Sequence, residues 1–140
     1  MASAHASIDL IATADEVWQL IGGFGSLPDW LPYIPKSELS DGGRIRSLTN
    51  PEGATIVERL LSFDHAARSY SYSILTAGFP VTTYVSTLRV VEGPSGKGAR
   101  VEWSGQFTPD GVSDEQASES FRGIYEEGLR ALASHLTKQC

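Results

Sequence analysis

The clearest helical pattern in the chain is the run SDEQASESFRGIYEEGLRALASHL, which covers residues 113–136. Ser113 and Gln116 form a capping box at its start, and Asp114 suits the positive end of the helix dipole. Apolar residues then recur at the spacing of one helix face: Ala117, Phe121, Ile124, Tyr125, Leu129, Leu132 and Leu136. The pattern predicts one long C-terminal helix whose apolar face the rest of the chain must cover.

Two glycines interrupt this helix. In a helix interior, Gly123 and Gly128 each cost about 1 kcal/mol relative to alanine. We therefore expect both glycines to leave room beside the helix, either for a strand or for a ligand.

The segment before the helix has the pattern of strands. Between residues 36 and 109, turn sequences such as 40–43, 50–53 and 92–98 separate six runs of strand-forming residues. Turns this short connect neighbouring strands as antiparallel hairpins. The segment therefore predicts an antiparallel meander of six strands.

The start of the chain adds one strand and a short helix. Residues 4–11 alternate apolar and polar side chains, which is the period of a half-buried strand. Thr13 and Glu16 then form a capping box, and the prolines between Phe24 and Pro35 allow one further helical turn. Together these elements predict an α+β architecture in a single domain, residues 1–140. In it, a seven-stranded curved antiparallel sheet surrounds the long helix, and two short helices follow the first strand.

Composition argues against several classes of partner. The net charge of −6 and the pI near 4.9 oppose nucleic-acid binding, which needs clustered Lys and Arg. No apolar run reaches the roughly 20 residues that cross a bilayer, and the N-terminus lacks a secretory signal, so we expect a cytoplasmic protein. The single Cys140 and the scattered His5, His65 and His135 do not have the spacing of a metal site, so neither a metal nor another cofactor is expected.

A set of short motifs occurs along nearly the whole chain: ADEVW at 14–18, FGSLPDW at 24–30, GRIR at 43–46, ERLL at 58–61, PV at 80–81 and VEW at 101–103. Together they resemble the START and Bet v 1 superfamily, and within it the polyketide cyclase/dehydrase and lipid transport family, also called SRPBCC proteins. The resemblance is to small bacterial members, and it implies a helix-grip fold with a cavity for a hydrophobic molecule. The chemistry of this family ranges from lipid and hormone binding to polyketide cyclisation, so the fold alone does not choose a function.

Strand parity predicts which side chains face the helix, because neighbouring residues point to opposite faces of a sheet. With residues of the long helix and of the segment after the short one, it predicts this ligand-binding wall: Trp30, Arg46, Glu58, Tyr70, Tyr72, Tyr84, Trp103, Phe107, Phe121, Ile124 and Tyr125. The alternative is that the rings only fill a solid core. The tyrosine hydroxyls favour a cavity, since buried hydroxyls need partners that water or a ligand would provide.

Glu58 is the strongest candidate for a chemical role. Its parity places a carboxylate beside Ile56 and Leu60 on an apolar face, where an unpaired charge is costly. Arg46 on the preceding strand is a suitable partner, so we predict a cross-strand ion pair. Such a pair could be purely structural, could anchor a ligand, or could make Glu58 a catalytic acid or base. Out of register, Glu58 would instead be protonated through desolvation.

Three functions fit these observations. The first is binding or carriage of a small hydrophobic molecule, such as a polyketide, an aromatic metabolite or a lipid, by a monomer or weak homodimer. The second is a cyclase or dehydratase that holds a polyketone folded in the same cavity. The third is a protein-interaction module with a closed cavity and an apolar contact patch at Trp30, Leu31, Tyr33 and Ile34.

Overall fold

A computed structural model describes residues 2–76 and 78–138 of the chain, and the terminal Cys140 lies outside them. The helices are α1 (Ala14–Ile21) and α2 (Asp114–Lys138). The strands are β1 (Ala2–Leu10), β2 (Lys36–Ser40), β3 (Ile45–Thr49), β4 (Thr55–Asp64), β5 (Ser69–Thr76), β6 (Val81–Glu92) and β7 (Ala99–Pro109). The elements follow the predicted order of one strand, a short helical region, six strands and a long helix.

All seven strands form one antiparallel sheet in the order β1-β7-β6-β5-β4-β3-β2. Neighbours along the chain pair as hairpins from β2 to β7, and β1 pairs with β7, with Ala2 opposite Phe107. The helix α2 lies against β1 and β7 and buries Phe121, Leu129 and Leu132. The predicted helix-grip fold is therefore confirmed.

Both predicted capping boxes are present. Glu16 N donates to Thr13 Oγ1 at 3.2 Å, and Thr13 N donates to Glu16 Oε1 at 3.1 Å. At the start of α2, Gln116 N and Ser113 N exchange the equivalent bonds at 3.1 and 3.0 Å. The second short helix is only a 3₁₀ turn, Leu27–Asp29, because the prolines that follow cannot continue it.

The sheet opens between β5 and β6 at one end. Their pairing stops at Ser73 and Val85, although both strands extend further toward their hairpin. At this end, β5 has one extra residue, Leu75, in its pairing with β4. In the same way, β6 has one extra residue, Thr82, in its pairing with β7. Because bulges of this kind bend a strand, the two halves of the sheet diverge beyond Ser73.

The predicted apolar contact patch after α1 is wrong. Trp30 and Leu31 are each 2% exposed, and Ile34 is 5% exposed. Tyr33 is half-buried, and its hydroxyl donates to Ile124 O of α2 at 3.3 Å. The segment therefore packs beneath the long helix, and its buried apolar side chains cannot form a contact surface for a partner.

The two glycines of α2 lie in different surroundings. A Cβ at Gly128 would lie 2.7 Å from Trp103 Cζ3 and 2.8 Å from Tyr33 Oη. A Cβ at Gly123 would meet no described atom within 4 Å. The predicted role is confirmed for Gly128, which allows α2 to approach β7 closely, and wrong for Gly123.

This difference predicts opposite effects on stability. Gly128→Ala should lower the free energy of unfolding by about 1–3 kcal/mol, because the added methyl overlaps Trp103 and Tyr33. Gly123→Ala should raise it by about 0.5–1 kcal/mol, because it only improves helix propensity at an exposed position. Urea denaturation of both variants measures the two changes. A Gly128→Ala variant at least as stable as the wild-type protein would contradict the close packing of α2 at Gly128.

Candidate functional site

A cavity of about 320 Å³ lies between the inner face of the sheet and α2. Its wall comes from α2 and the strands β3 to β7, and its rim includes the β3–β4 turn and Phe79 before β6. Pro51 and Glu52 of that turn are exposed, so the cavity reaches the surface there. The volume is near the lower end of the roughly 300–1,000 Å³ of ligand pockets, which suits a small molecule.

Most of the predicted wall lines this cavity: Arg46, Glu58, Tyr72, Tyr84, Trp103, Phe121, Ile124 and Tyr125. The other three predicted residues lie behind it. Tyr70 packs against Phe24 with ring centroids 5.7 Å apart. The ring centroids of Phe107 and Phe121 are 4.7 Å apart, and those of Trp30 and Trp103 are 6.0 Å apart. All three are buried, and none of them lines the cavity.

Sequence reasoning missed the remaining lining residues: Leu27, Tyr33, Ile34, Leu48, Asn50, Pro51, Glu52, Ile56, Ile74 and Phe79. Leu48, Ile56 and Ile74 share the parity of the predicted residues on their strands, so that signal could have found them. The loop residues carry no such signal, because their position depends on how the hairpins fold over the cavity.

Arg46 and Glu58 form the predicted ion pair. They lie directly opposite each other on β3 and β4. Arg46 Nε donates to Glu58 Oε1 at 2.8 Å, and Arg46 Nη2 lies 2.7 Å from the same oxygen. Arg46 is 1% exposed and Glu58 is 6% exposed, so water screens this pair little.

The third nitrogen of the Arg46 guanidinium is also occupied. Nη1 donates to Phe24 O at 3.0 Å and to Tyr70 Oη at 3.3 Å. The rings of Phe24 and Tyr72 lie 4.2 and 4.6 Å from the guanidinium carbon. The protein therefore already surrounds this cation with acceptors and aromatic faces.

Burial acts on both charges of the pair. Burial alone would lower the pKa of Arg46, but the nearby Tyr70 and Glu58 have the larger combined effect, so the pKa is raised. Burial raises the pKa of Glu58, and Arg46 opposes that shift. The ionised pair is the state that fits the geometry, because a neutral Glu58 would leave a buried cation without a counter-charge.

A hydrogen-bonded group of side chains crosses β5, β6 and β7. Trp103 Nε1 donates to Tyr72 Oη and to Ser86 Oγ, each at 3.1 Å. Ser86 Oγ donates in turn to Ser104 O at 2.7 Å. The prediction that water or a ligand would provide the partners of the tyrosine hydroxyls is therefore right only in part. Tyr72 Oη accepts from Trp103, but the Tyr72 hydrogen has no acceptor among the described residues. Ser86 was missed, although it shares the parity of Tyr84.

The hydroxyls of Tyr84 and Tyr125 hydrogen-bond to each other. A Cβ at Gly105 would overlap the Tyr125 hydroxyl, so this glycine makes the contact possible. Burial raises the pKa of Tyr72 and Tyr84 well above the usual value, and it raises the pKa of Tyr125 as well. These hydroxyls stay protonated near neutral pH. One hydroxyl of the Tyr84–Tyr125 pair donates to the other, whereas the Tyr72 hydrogen has no acceptor among the described residues and can donate to a ligand.

Among residues 2–76 and 78–138, no cluster of three or more His, Cys, Asp or Glu side chains could hold a metal ion. His65 lies beside α1, where its Nδ1 accepts from Trp18 Nε1 at 3.0 Å. Within the same described part of the chain, no helix has the length and apolar character to cross a membrane.

Comparison with known proteins gives one family and close structural relatives. The family described as polyketide cyclase / dehydrase and lipid transport matches residues 1–137. The protein XoxI from Bacillus cereus is 55% identical, with a TM-score of 0.92 over 96% of this chain and 94% of that one. An uncharacterised protein from Bacillus thuringiensis is 54% identical, with a TM-score of 0.92 over 95% and 97% of the two chains. Norcoclaurine synthase from Thalictrum flavum shares the fold at 23% identity, with a TM-score of 0.73 over 99% and 87%.

The buried pair predicts a strongly non-additive pattern of stabilities. Glu58→Gln should lower the free energy of unfolding by about 3–5 kcal/mol, because it leaves Arg46 as an uncompensated buried charge. The double replacement Arg46→Met with Glu58→Leu should recover most of that loss, since it removes both charges. Urea denaturation followed by tryptophan fluorescence measures each variant.

Glu52→Gln is the matched control for this prediction. It removes a carboxylate from the exposed rim of the cavity and should change stability by less than about 0.5 kcal/mol. A Glu58→Gln variant as stable as Glu52→Gln would show that Glu58 is neutral in the folded protein.

Proposed function

The chain belongs to the polyketide cyclase / dehydrase and lipid transport family, and we propose that it binds a small, largely apolar molecule in the cavity beneath α2. The observation that carries this proposal is the cavity itself, about 320 Å³ in volume and lined mainly by aromatic and aliphatic side chains. A few polar groups, above all Glu58 and Tyr72, are placed among them. Binding sites for small molecules have this composition, with apolar walls for affinity and few polar groups for orientation.

The aromatic walls favour a ligand with rings. Trp103 and Tyr125 stack with ring centroids 4.8 Å apart, and Tyr84 lies 4.8 Å from Phe121. Burying apolar ligand surface contributes about 25 cal/mol per Å², and ring contacts add to this. An aromatic metabolite or a short polyketide therefore fits the cavity better than a long acyl chain.

The fold itself supports binding of such molecules. Norcoclaurine synthase, which shares this fold, is described in complex with dopamine and hydroxybenzaldehyde. A protein of this fold can thus bind small aromatic molecules. At 23% identity this supports only the capacity of the fold, and the ligand of this chain follows from its own wall.

An enzyme of the cyclase or dehydratase type is the second candidate. The carboxylate of Glu58 and the protonated hydroxyls of Tyr72 and Tyr125 line one cavity, which are the groups that general acid-base catalysis needs. A cyclase would convert a linear polyketone into a ring product, whereas a carrier would return it unchanged. Mass spectrometry of the polyketone after incubation with the protein distinguishes the two.

We also propose that the protein works in the cytoplasm, as a monomer or weak homodimer, and that it does not bind nucleic acid. The net charge of −6 supports the last point, since a phosphate backbone would be repelled.

Native mass spectrometry tests the proposal most directly. The protein, purified without denaturation, should carry a reproducible apolar adduct that organic solvent extracts and that can then be identified. An empty protein that also shows no thermal shift with a broad panel of apolar compounds would contradict a binding function.

Filling the cavity should weaken binding. Ile124 is half-buried on the cavity side of α2, so Ile124→Trp places a large ring where the ligand would lie. The dissociation constant for a neutral aromatic probe such as naphthol should rise at least about tenfold, equivalent to 1.4 kcal/mol. Equilibrium dialysis measures the change.

Arg130→Trp adds the same ring at an exposed position of the same helix and is the control. It should leave the dissociation constant within about twofold of the wild-type value, as substitutions at exposed positions usually do. Equal weakening by both variants would mean that the probe binds outside the cavity.

A further inference from the structure

We propose that the cavity selects an uncharged ligand bearing a hydroxyl or N–H donor, with Glu58 Oε2 as the acceptor and the Tyr72 hydroxyl as a donor, and that it rejects carboxylates. This selectivity rests on the proposed function, since it concerns the ligand of the same cavity. Two hydrogen-bonding groups at the cavity, Glu58 Oε2 and the Tyr72 hydroxyl, lack a partner among the described residues for the bond that a ligand would make.

The open acceptor is the second carboxylate oxygen of Glu58. Both contacts from Arg46 go to Oε1, at 2.8 Å from Nε and 2.7 Å from Nη2. No described residue donates a hydrogen bond to Oε2, although Glu58 is 6% exposed and lines the cavity. A buried carboxylate oxygen gains most from a hydrogen bond when no water surrounds it. A ligand hydroxyl or N–H would provide that bond.

The open donor is the hydroxyl of Tyr72. Its oxygen accepts from Trp103 Nε1 at 3.1 Å, and its own hydrogen has no acceptor among the described residues. Tyr72 lies on β5 two residues from Ile74, which is directly opposite Glu58 on β4. Diagonal neighbours in an antiparallel sheet are about 7–8 Å apart, so one small ligand can reach both groups.

Positive charge is not available to an anionic ligand. Arg46 is the basic residue of the described wall, and all three of its guanidinium nitrogens are engaged by Glu58, Phe24 O and Tyr70 Oη. A ligand carboxylate would instead face the Glu58 carboxylate, with Glu52 as a second negative charge at the rim. Like charges brought together in a desolvated site oppose binding strongly. The cavity is therefore unsuited to fatty acids and other carboxylates.

Matched naphthalene derivatives test this selectivity on the wild-type protein. They share one ring system and differ in the polar group: naphthol, methoxynaphthalene, naphthoate and naphthalene itself. By equilibrium dialysis at neutral pH, naphthol should bind at least about tenfold more tightly than naphthoate. It should also bind about three- to tenfold more tightly than naphthalene, because it gains the bond to Glu58.

Two variants of β5 separate the donor from the rest of the wall. Tyr72→Phe removes the open hydroxyl, while Trp103 Nε1 keeps Ser86 Oγ as its acceptor at 3.1 Å. This variant should weaken methoxynaphthalene about three- to tenfold and leave naphthalene unchanged. Ser71→Ala is the control, because it removes a hydroxyl from the same strand on the opposite face of the sheet, where Ser71 Oγ bonds to Thr87 Oγ1 at 2.8 Å. It should leave the ratio of the two affinities unchanged.

The outcomes separate the selectivity from the binding function. Naphthoate binding as tightly as naphthol, or naphthol binding no better than naphthalene, would overturn the selectivity while the binding function stands. A Tyr72→Phe variant that behaves like Ser71→Ala would overturn the role of Tyr72 as donor. Failure of every probe, naphthalene included, would overturn the binding function and the selectivity with it.

Discussion

An arginine buried on the apolar face of a sheet needs a counter-charge within reach, and Glu58 provides it for Arg46. This need constrains the register of β3 and β4, because a slip of one residue would move one partner to the outer face. The same guanidinium binds Phe24 O, which ties the segment after α1 to the sheet. The ring of Tyr72 lies on it, so the cation also positions the side chain that carries the open hydroxyl. The ion pair thus holds the chain together at one side of the cavity.

The polar tips of the aromatic wall bond to one another, and this keeps the cavity in shape. Trp103 bridges Tyr72 and Ser86, while Tyr84 bonds to Tyr125 from the opposite helix. Because their hydroxyls already have protein partners, these rings are held in place without a ligand, which lowers the entropic cost of binding. Gly105 and Gly128 allow the close approach of α2 that these contacts need.

The arrangement separates affinity from selectivity. The aromatic and aliphatic walls would bind many small apolar molecules, whereas Glu58 Oε2 and the Tyr72 hydroxyl would distinguish among them. Acid-base catalysis would use the same groups. The same cavity would therefore suit a carrier or an enzyme, and the bound molecule would decide between the two functions. The openings at the β3–β4 turn and between β5 and β6 lie next to this wall, since Ile74 and Tyr84 border both the cavity and the diverging strands.

Local patterns in the sequence determined the order of elements, the two capping boxes and the helix-grip fold, because strand alternation, capping and helical periodicity depend on residues close in the chain. Parity also determined the Arg46–Glu58 pair. Only the tertiary structure decided which rings face the cavity and which lie behind it, as for Tyr70 and Phe107. It also decided that Phe63 shares the face of Tyr70, since a bulge at Leu61 reverses the parity of β4. Such outcomes depend on contacts between residues far apart in sequence, and no local pattern records them.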